Sequence, residues 1–279
     1  MDGVEVTKNS NTGEEKWSPK DHVYYWPEIS NTDLDFCFFA PFSVKPTIEG
    51  ATTLAYAEQT INPNSWDKDI MYTQKSVGLT KTSNGTSGVN AIFNHALAQI
   101  KFTVKGTNLI GTGVKYTIKV KKVVVEGIQT KGTLSMGLVS QSNTNWQLPD
   151  NEIWTASAAE TVALNIDKSL SALTLTTSPQ DFDKSYYVLP QVIKDKVGIV
   201  AKVTYDLTSA VGAVTETKEI TSSIKLKDVS AVEYWQMNKI ITYNITFDPT
   251  NNLTPIFFNP TVNSWGAASG DSTINPNAK

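Results

Sequence analysis

Strict alternation of apolar and polar residues is the dominant pattern of this sequence, and it is clearest in four stretches. In residues 100–106, Ile100, Phe102 and Val104 fall on one face, while lysines and a threonine fall on the other. The same period recurs in residues 115–128, 197–207 and 240–248. Side chains on a β-strand alternate with a period of two, so these stretches predict half-buried antiparallel strands.

Turn-forming residues separate the predicted strands, and long helical periodicity is missing. Gly, Asn, Asp and Pro cluster in residues 81–88, 105–113 and 248–252, where they supply turn chemistry. Residues 229–239 predict one or two helical turns, and the aromatic residues 36–42 predict a core strand. Many short strands with few helices predict an all-β protein built as an antiparallel β-sandwich.

A polar stretch near the middle of the chain interrupts the alternation. Residues 140–160 separate a first group of predicted strands from a second group that begins near Val162. The length of 279 residues is ample for two domains. We therefore predict an N-terminal β-sandwich over residues 1–160 and a C-terminal β-sandwich with a polar tail over residues 161–279.

The charge balance argues against a nucleic-acid partner. The net charge is -3, only 18% of residues are charged, and the basic residues are all lysine. Without arginine the chain lacks the bidentate fork that suits phosphate. The single cysteine, Cys37, cannot form an internal disulfide, and its aromatic neighbours predict a small buried side chain.

The candidate catalytic groups are sparse. Neither His22 nor His95 accompanies a G-x-S-x-G motif or metal-ligand spacing. Carboxylates recur as D-x-D pairs at Asp33 and Asp35, Asp67 and Asp69, and Asp181 and Asp183. On a strand such a pair lies about 7 Å apart, which suits a glycosidase or a calcium ion, although aspartates at loop edges are the more common explanation. We predict no catalytic residue, no metal site and no cofactor.

Tryptophans in predicted loops suggest a different kind of site. Trp66, Trp146 and Trp154, with the aromatic residues 24–27, are candidate stacking platforms for a sugar. The alternative is burial, which is usual for tryptophan. We keep these three tryptophans as candidate glycan contacts.

Several motifs together resemble the fimbrillin-like family of Bacteroidetes, which includes major and minor fimbrial subunits. They are "FNHALAQIKFTVKG" (93–106), "YYVLPQ" (186–191), "YWQMNKIITYNITFD" (234–248) and "IFFNPTVNSWG" (256–266), and they occur in the order typical of the family. The upstream stretch "DLDFCFFAPFS" (33–43) is also similar. In the family the histidine of the first motif begins a core strand, so the resemblance implies a structural role for His95.

The resemblance implies an exported protein with two transthyretin-like β-sandwich domains, carried as a lipoprotein to the outer membrane and displayed on the cell surface as part of a fimbrium. Such subunits assemble type V pili by donor-strand exchange with other fimbrial subunits. A protease removes the first strand, and a strand of the neighbour fills the opened groove. The implied partners are other subunits and a host or bacterial protein or glycan receptor.

Three features depart from the family pattern. Cys37 is not set in a lipobox, no arginine is present for the usual processing cleavage, and Asn238 replaces the common glycine before Lys239. Residues 1–17 contain no apolar signal segment, although a mature domain without its export signal would look the same.

Residues 267–279 have little β-propensity. If the strand containing residues 256–258 belongs to the fold, little remains to donate, which favours a tip or accessory adhesin over a stalk subunit. The alternatives are a surface glycan-binding lipoprotein of the same fold and, third, an enzyme such as a glycosidase that uses one D-x-D pair.

Overall fold

The computed structural model describes residues 4–9, 16–28, 32–50, 52–85, 88–89, 91–138, 154–156, 161–194, 196, 198–229, 232–251 and 256–265. Strands dominate them. The strands up to residue 137 are β1 (Val6–Asn9), β2 (Lys16–Pro19), β3 (Leu34–Phe36), β4 (Phe39–Ala40), β5 (Thr47–Glu49), β6 (Thr53–Thr60), β7 (Met71–Thr73), β8 (Ser76–Leu79), β9 (Phe93–His95), β10 (Ala98–Gly106), β11 (Ile110–Gly111), β12 (Val114–Gln129) and β13 (Lys131–Gly137).

The later strands are β14 (Thr155–Ala156), β15 (Thr161–Asp167), β16 (Leu173–Thr174), β17 (Gln180–Asp181), β18 (Tyr186–Val188), β19 (Gln191–Val192), β20 (Val200–Val211), β21 (Val214–Lys225), β22 (Tyr234–Trp235), β23 (Lys239–Phe247) and β24 (Ile256–Ser264). The described helical segments are the single turn α1 (Lys81–Asn84) and two 3-10 turns, Ser169–Ser171 and Leu226–Asp228. The predicted all-β fold is confirmed, as are the four strands predicted from alternation.

Two sheets pack face to face and form what we call the larger sandwich. One sheet has five strands in the order β17-β10-β23-β24, with β18 also paired to β10. The other has six strands in the order β11-β12-β20-β21, with β15 and β16 also paired to β12. The core between them is built by the apolar faces of β10, β12, β20 and β23. In β10 every second residue from Ala98 to Gly106 is buried, as the sequence pattern predicts.

The pair β10 and β23 runs parallel, whereas every other strand pair among the described residues is antiparallel. The sequence predicted antiparallel pairing throughout. Parallel neighbours require a long crossover connection. Here the chain between β10 and β23 provides it, because that segment builds the opposite sheet before it returns.

A second group of buried side chains forms what we call the smaller core. It lies against a four-stranded sheet, in the order β14-β13-β6-β5, and a three-stranded sheet, in the order β4-β7-β9. Its buried members include Leu54, Tyr56, Tyr72, Leu134 and Trp154. Leu189 and Met237 also belong to it, although both follow residue 160.

The two cores do not divide the chain at residue 160. Strands β10 and β12 precede that residue, yet they pair with β23 and β20, which follow it, and all four share the core of the larger sandwich. This pairing does not support a division into the predicted sequence ranges 1–160 and 161–279. A linear boundary fails to describe the cores because β10 and β12 pair with strands from the C-terminal part of the chain.

Two local expectations were wrong. The stretch predicted to contain helical turns, residues 229–239, instead contains β22, and the nearest 3-10 turn ends at Asp228. The stretch predicted as one core strand, residues 36–42, is split between β3 and β4, and Phe42 is 45% exposed. Cys37 was also expected to be fully buried, and it is half-buried. Local residue content did not predict these outcomes, because tertiary pairing decides where strands begin and end.

Gly127 lies at an irregularity in β12, where the pairing with β15 shifts between Val125 and Ile128. Its φ is +78°, and a Cβ atom there would lie 2.3 Å from the carbonyl oxygen of Gly198. Gly113 has nearly the same φ, +77°, but open space around it. Alanine substitution at Gly113 therefore tests backbone strain alone, whereas substitution at Gly127 tests backbone strain together with a steric clash.

We expect Gly127→Ala to cost about 2–4 kcal/mol of unfolding free energy, because positive φ and a backbone clash both oppose the methyl group. The matched control Gly113→Ala meets only the first penalty and should cost about 1 kcal/mol. Urea unfolding monitored by tryptophan fluorescence measures both values. Equal costs would show that the backbone of Gly198 moves aside freely.

An ion pair joins the 3-10 turn after β15 to the segment between β17 and β18. Lys168 Nζ lies 3.1 Å from Asp183 Oδ1, and Tyr186 Oη donates a hydrogen bond to the other oxygen of Asp183. Burial by itself would raise the pKa of Asp183. The hydrogen bonds from Tyr186 and Lys168 and the lysine charge outweigh it, so the pKa lies below the ordinary value.

A lowered pKa in the folded state means that ionised Asp183 stabilises the protein at neutral pH and that this contribution is lost as the pH falls through the folded-state value. We expect Asp183→Asn to lower the urea midpoint at pH 7, and the difference from the unmodified protein to shrink below about pH 4. The control Asp67→Asn removes the same charge from an exposed site. A difference that stays constant with pH would contradict the assigned role.

Candidate functional site

Unpaired sheet edges are the main candidate for function, because an edge offers free backbone groups to another strand. On one side the two sheets of the larger sandwich end in β21 and β24, and on the other side they end in β17 and β18 and in β11, β15 and β16. On β21 the side chains of Glu216 and Lys218 bridge at 3.0 Å, and they project to the same face as Ile220. On β24 Pro260 occupies the middle of the strand. Charges and proline are devices that block edge pairing, so the edges at β21 and β24 are protected.

The four-stranded sheet of the smaller core has an edge without these devices. Strand β14 pairs with β13 only at Gly132 and Thr133. On that side no described strand pairs with the rest of β13, residues 134–137. We call residues 134–137 of β13 the open edge. It contains neither proline nor a charged residue.

The direction of the hydrogen bonds on β13 follows from its neighbour β6. Leu138 N donates to Thr52 O at 2.7 Å, just beyond the paired strands. Hydrogen-bonding direction alternates along a strand, so Leu134 and Met136 bond toward β6. The N–H groups of Ser135 and Gly137 therefore point to the open edge. These same two residues are exposed, whereas Leu134 and Met136 are buried.

Trp154 closes the smaller core immediately before β14. Its side chain is 1% exposed, and its Nε1 donates to Ala96 O at 2.7 Å. Its ring lies 5.8 Å from that of Tyr56 on β6. Burial raises the pKa of Tyr56, so this phenol stays neutral. The open edge thus borders a packed apolar layer into which alternate side chains of an added strand can point.

The three tryptophans proposed as glycan contacts have different positions. Trp154 is buried, which leaves no ring face for a sugar. It directly precedes the two-residue strand β14, and no pattern in the surrounding sequence indicated that its side chain is buried. Trp66 is half-buried against the smaller core, in a turn where its backbone N–H donates to the backbone carbonyl of Asn62. Trp146 lies outside the described residues. In the predicted aromatic stretch 24–27, Tyr25 is 85% exposed and Tyr24 is 41% exposed.

His95 ends β9 and its side chain is held by neighbours. Its Nδ1 hydrogen-bonds to Asp69 Oδ2, and its ring stacks on Trp265. The sequence did not reveal either partner, since they lie far away along the chain. His22 is exposed and contacts Tyr24 edge to face, with ring centroids 4.8 Å apart. The two histidines are therefore not brought together.

The aspartates of the D-x-D pairs do not converge on common sites. Those with described cationic or histidine partners form the pairs Asp35–Lys75, Asp69–His95, Asp181–Lys101 and Asp183–Lys168. Among the residues that the structure describes, no group of three or more His, Cys, Asp or Glu side chains is arranged to hold a metal ion. The four paired carboxylates are therefore explained by structural contacts.

Within the same described ranges, none of the helices is long and apolar enough to cross a membrane. No curated protein matches the sequence significantly.

Among the solved structures that resemble this fold are a fimbrial protein and a proposed cell adhesion protein. A fimbrial protein from Bacteroides vulgatus superposes with a TM-score of 0.54 at 17% identity, over 95% of this chain and 85% of that one. A proposed cell adhesion protein from Bacteroides uniformis gives a TM-score of 0.51 at 15% identity, over 94% and 84% respectively. At these identities the likeness concerns the fold.

The sequence comparison extends along nearly the whole chain. A sequence model of the fimbrillin-like family matches residues 2–265. This range includes both cores, the open edge and the last described strand. The chain therefore belongs to the fimbrillin-like family.

Proposed function

We propose that this chain is a non-enzymatic fimbrial subunit, exported to the cell surface, that accepts a strand from a neighbouring subunit at the open edge of β13. Family membership supports the fimbrial role. The observation that carries the proposal is the edge itself: residues 134–137 are unpaired on one side among the described residues, and their alternate side chains belong to the smaller core.

Strand addition at this edge supplies two kinds of stabilisation. An added strand bonds to the N–H and C=O groups of Ser135 and Gly137, and each hydrogen bond contributes about 0.5–1.5 kcal/mol. Its alternate side chains pack beside the buried layer of Leu134, Met136 and Trp154, and each apolar side chain of the added strand that becomes buried there adds about 1.5–3 kcal/mol. The backbone provides affinity, and the side chains select the partner.

The C-terminal strand favours a tip or accessory subunit over a stalk subunit. Strand β24 pairs with β23 over nine residues, and Ile256 and Phe258 pack against the core of the larger sandwich. A stalk subunit has to give a strand to its neighbour, and donating this one would open its own sandwich. A tip or accessory subunit needs only to accept a strand.

The N-terminal hairpin is the segment whose removal we propose for maturation. Strands β1 and β2 pair with each other and with no other described strand. Lys20, directly after β2, contacts Glu5 through its backbone and its side chain, and 49% of that side chain is exposed. Since the chain has no arginine, we propose trimming at a lysine here.

We expect the purified protein, before and after digestion with a lysine-specific protease, to remain monomeric in size-exclusion chromatography with light scattering. A ladder of detergent-resistant multimers after digestion would contradict the tip or accessory role and indicate a stalk subunit. This measurement separates the two roles because only a stalk subunit both donates and accepts.

Strand capture itself is tested with a fluorescent peptide of the sequence 256–264, whose residues suit an extended conformation. We expect Ser135→Pro to weaken capture about tenfold or more, since proline removes a donor at the open edge and leaves the bonds to β6 intact. The matched control Ser135→Ala retains the N–H group. Equal capture by both variants, or no capture by the unmodified protein, would overturn the acceptor site.

A second candidate function is a surface glycan-binding protein of the same fold, which the exposed rings of Tyr24 and Tyr25 favour. Trp66 keeps a partly exposed side chain and stays a candidate contact. On a glycan array we expect Trp66→Ala and Tyr25→Ala to lose a selective signal if this function holds. Trp154→Phe, a buried substitution, is the control. An array without any selective signal would remove this candidate.

A further inference from the structure

The end of β24 is weakly held by the larger sandwich. Its first half points Ile256 and Phe258 toward the core and buries Pro260. Its second half, residues 261–264, has exposed side chains throughout. Because β24 is an edge strand, its described strand partner is β23 alone. Fraying from the C-terminal end is the expected behaviour of such a strand unless another contact holds it.

Trp265 provides that contact, because it leaves the larger sandwich and packs against the smaller core. Its backbone N–H donates to Asn238 O at 3.0 Å. Its ring stacks on His95 with a centroid distance of 3.9 Å and an interplanar angle of 4°, and on Tyr187 at 5.5 Å and 29°. Stacked aromatic pairs contribute beyond the area that they bury.

His95 is itself fixed in place before it meets Trp265. Its ring hydrogen-bonds to Asp69, and the two side chains are each only 15% exposed. Its backbone N–H donates to Asn238 Oδ1 at 3.4 Å, and Asn238 N donates to Leu97 O at 3.1 Å. Asn238, at a φ of +59°, therefore bonds to His95, Leu97 and Trp265 together.

Asp69 depends on His95 in turn. Its Oδ1 atom is buried and has no hydrogen-bond partner among the described residues, and its Oδ2 atom receives the bond from His95. Burial, followed by the negative charge of Asp69, raises the pKa of the neighbouring Tyr187. The phenol therefore stays neutral beside the indole ring.

We propose that Asp69, His95 and Trp265 form a latch that keeps β24 in its own sandwich and withholds it from a second copy of the chain. Three separate segments supply the latch: the loop before β7, the end of β9, and the residue after β24. The latch closes only when both cores are folded, since Trp265 joins the strand of one core to the surface of the other. That the latch withholds β24 from pilus assembly rests on the proposed function. That the latch holds β24 in place does not.

Hydrogen exchange followed by mass spectrometry tests the latch on the full chain. We expect Trp265→Ala to speed exchange in β24 about tenfold, since stacking and anchoring are lost together. His95→Ala should act in the same direction. An edge strand of the opposite sheet, β21, should keep its exchange rate in both variants, because no described contact of the latch involves it.

Trp66→Ala is the matched control, because Trp66 is also a half-buried tryptophan against the smaller core. Its substitution should leave β24 protected. Unchanged exchange in β24 of Trp265→Ala, or the same increase in Trp66→Ala, would overturn the latch. These outcomes are independent of peptide capture at Ser135, so failure of the latch and failure of the acceptor edge are distinguishable.

Release of the strand also predicts self-association. At high concentration Trp265→Ala should form dimers by mutual exchange of β24, and light scattering should show them, while Trp66→Ala stays monomeric. A disulfide between Thr242→Cys and Thr261→Cys, which lie directly opposite each other, should suppress the dimer in the Trp265→Ala background. Dimers that persist with this crosslink would contradict release of β24.

Discussion

The parallel ladder between β10 and β23 is the contact on which the rest of the structure depends. It joins residues 99–106 to residues 240–247 in continuous register. It also places the apolar faces of both strands against β12 and β20, so the core of the larger sandwich requires all four. Next to this ladder, Trp235 Nε1 donates a buried hydrogen bond to Tyr243 Oη at 2.9 Å, so neither side chain leaves its polar group without a partner. Both cores meet at its start, where Leu97 and Met237 enter the smaller core.

The local pattern of the sequence predicted the strands but not their partners. Alternation around Ile100, Ile118, Val203 and Ile245 depends only on which side chains face a core, and these strands formed as expected. Pairing depends on contacts between distant segments, which a period of two does not encode. For that reason the sequence missed the parallel pair, and its proposed boundary at residue 160 does not match the arrangement of the cores.

Even less of the candidate site could be predicted from the sequence. Among the described residues β14 pairs with only two residues of β13, and the extent of pairing at an edge has no compositional signature. Trp154 was a candidate glycan contact with burial as the alternative, and the sequence did not indicate that its indole N–H donates to the carbonyl of Ala96 in the core. His95 was expected to be structural, and its partners Asp69 and Trp265 could not be predicted because they are separated from it in sequence and only the fold brings them together.

The separation of β10 from β23 also constrains how the chain acquires its structure. Thr103 and Asn244, which hydrogen-bond across this ladder, are 141 residues apart in sequence. Closing so long a loop is slow, and contacts of this kind give high contact order. During synthesis β10 emerges well before β23 and must remain without that neighbour until nearly the whole chain is available. A chain that has not yet paired β23 therefore exposes a central strand, and protecting that strand from aggregation is a kinetic demand that the finished fold no longer shows.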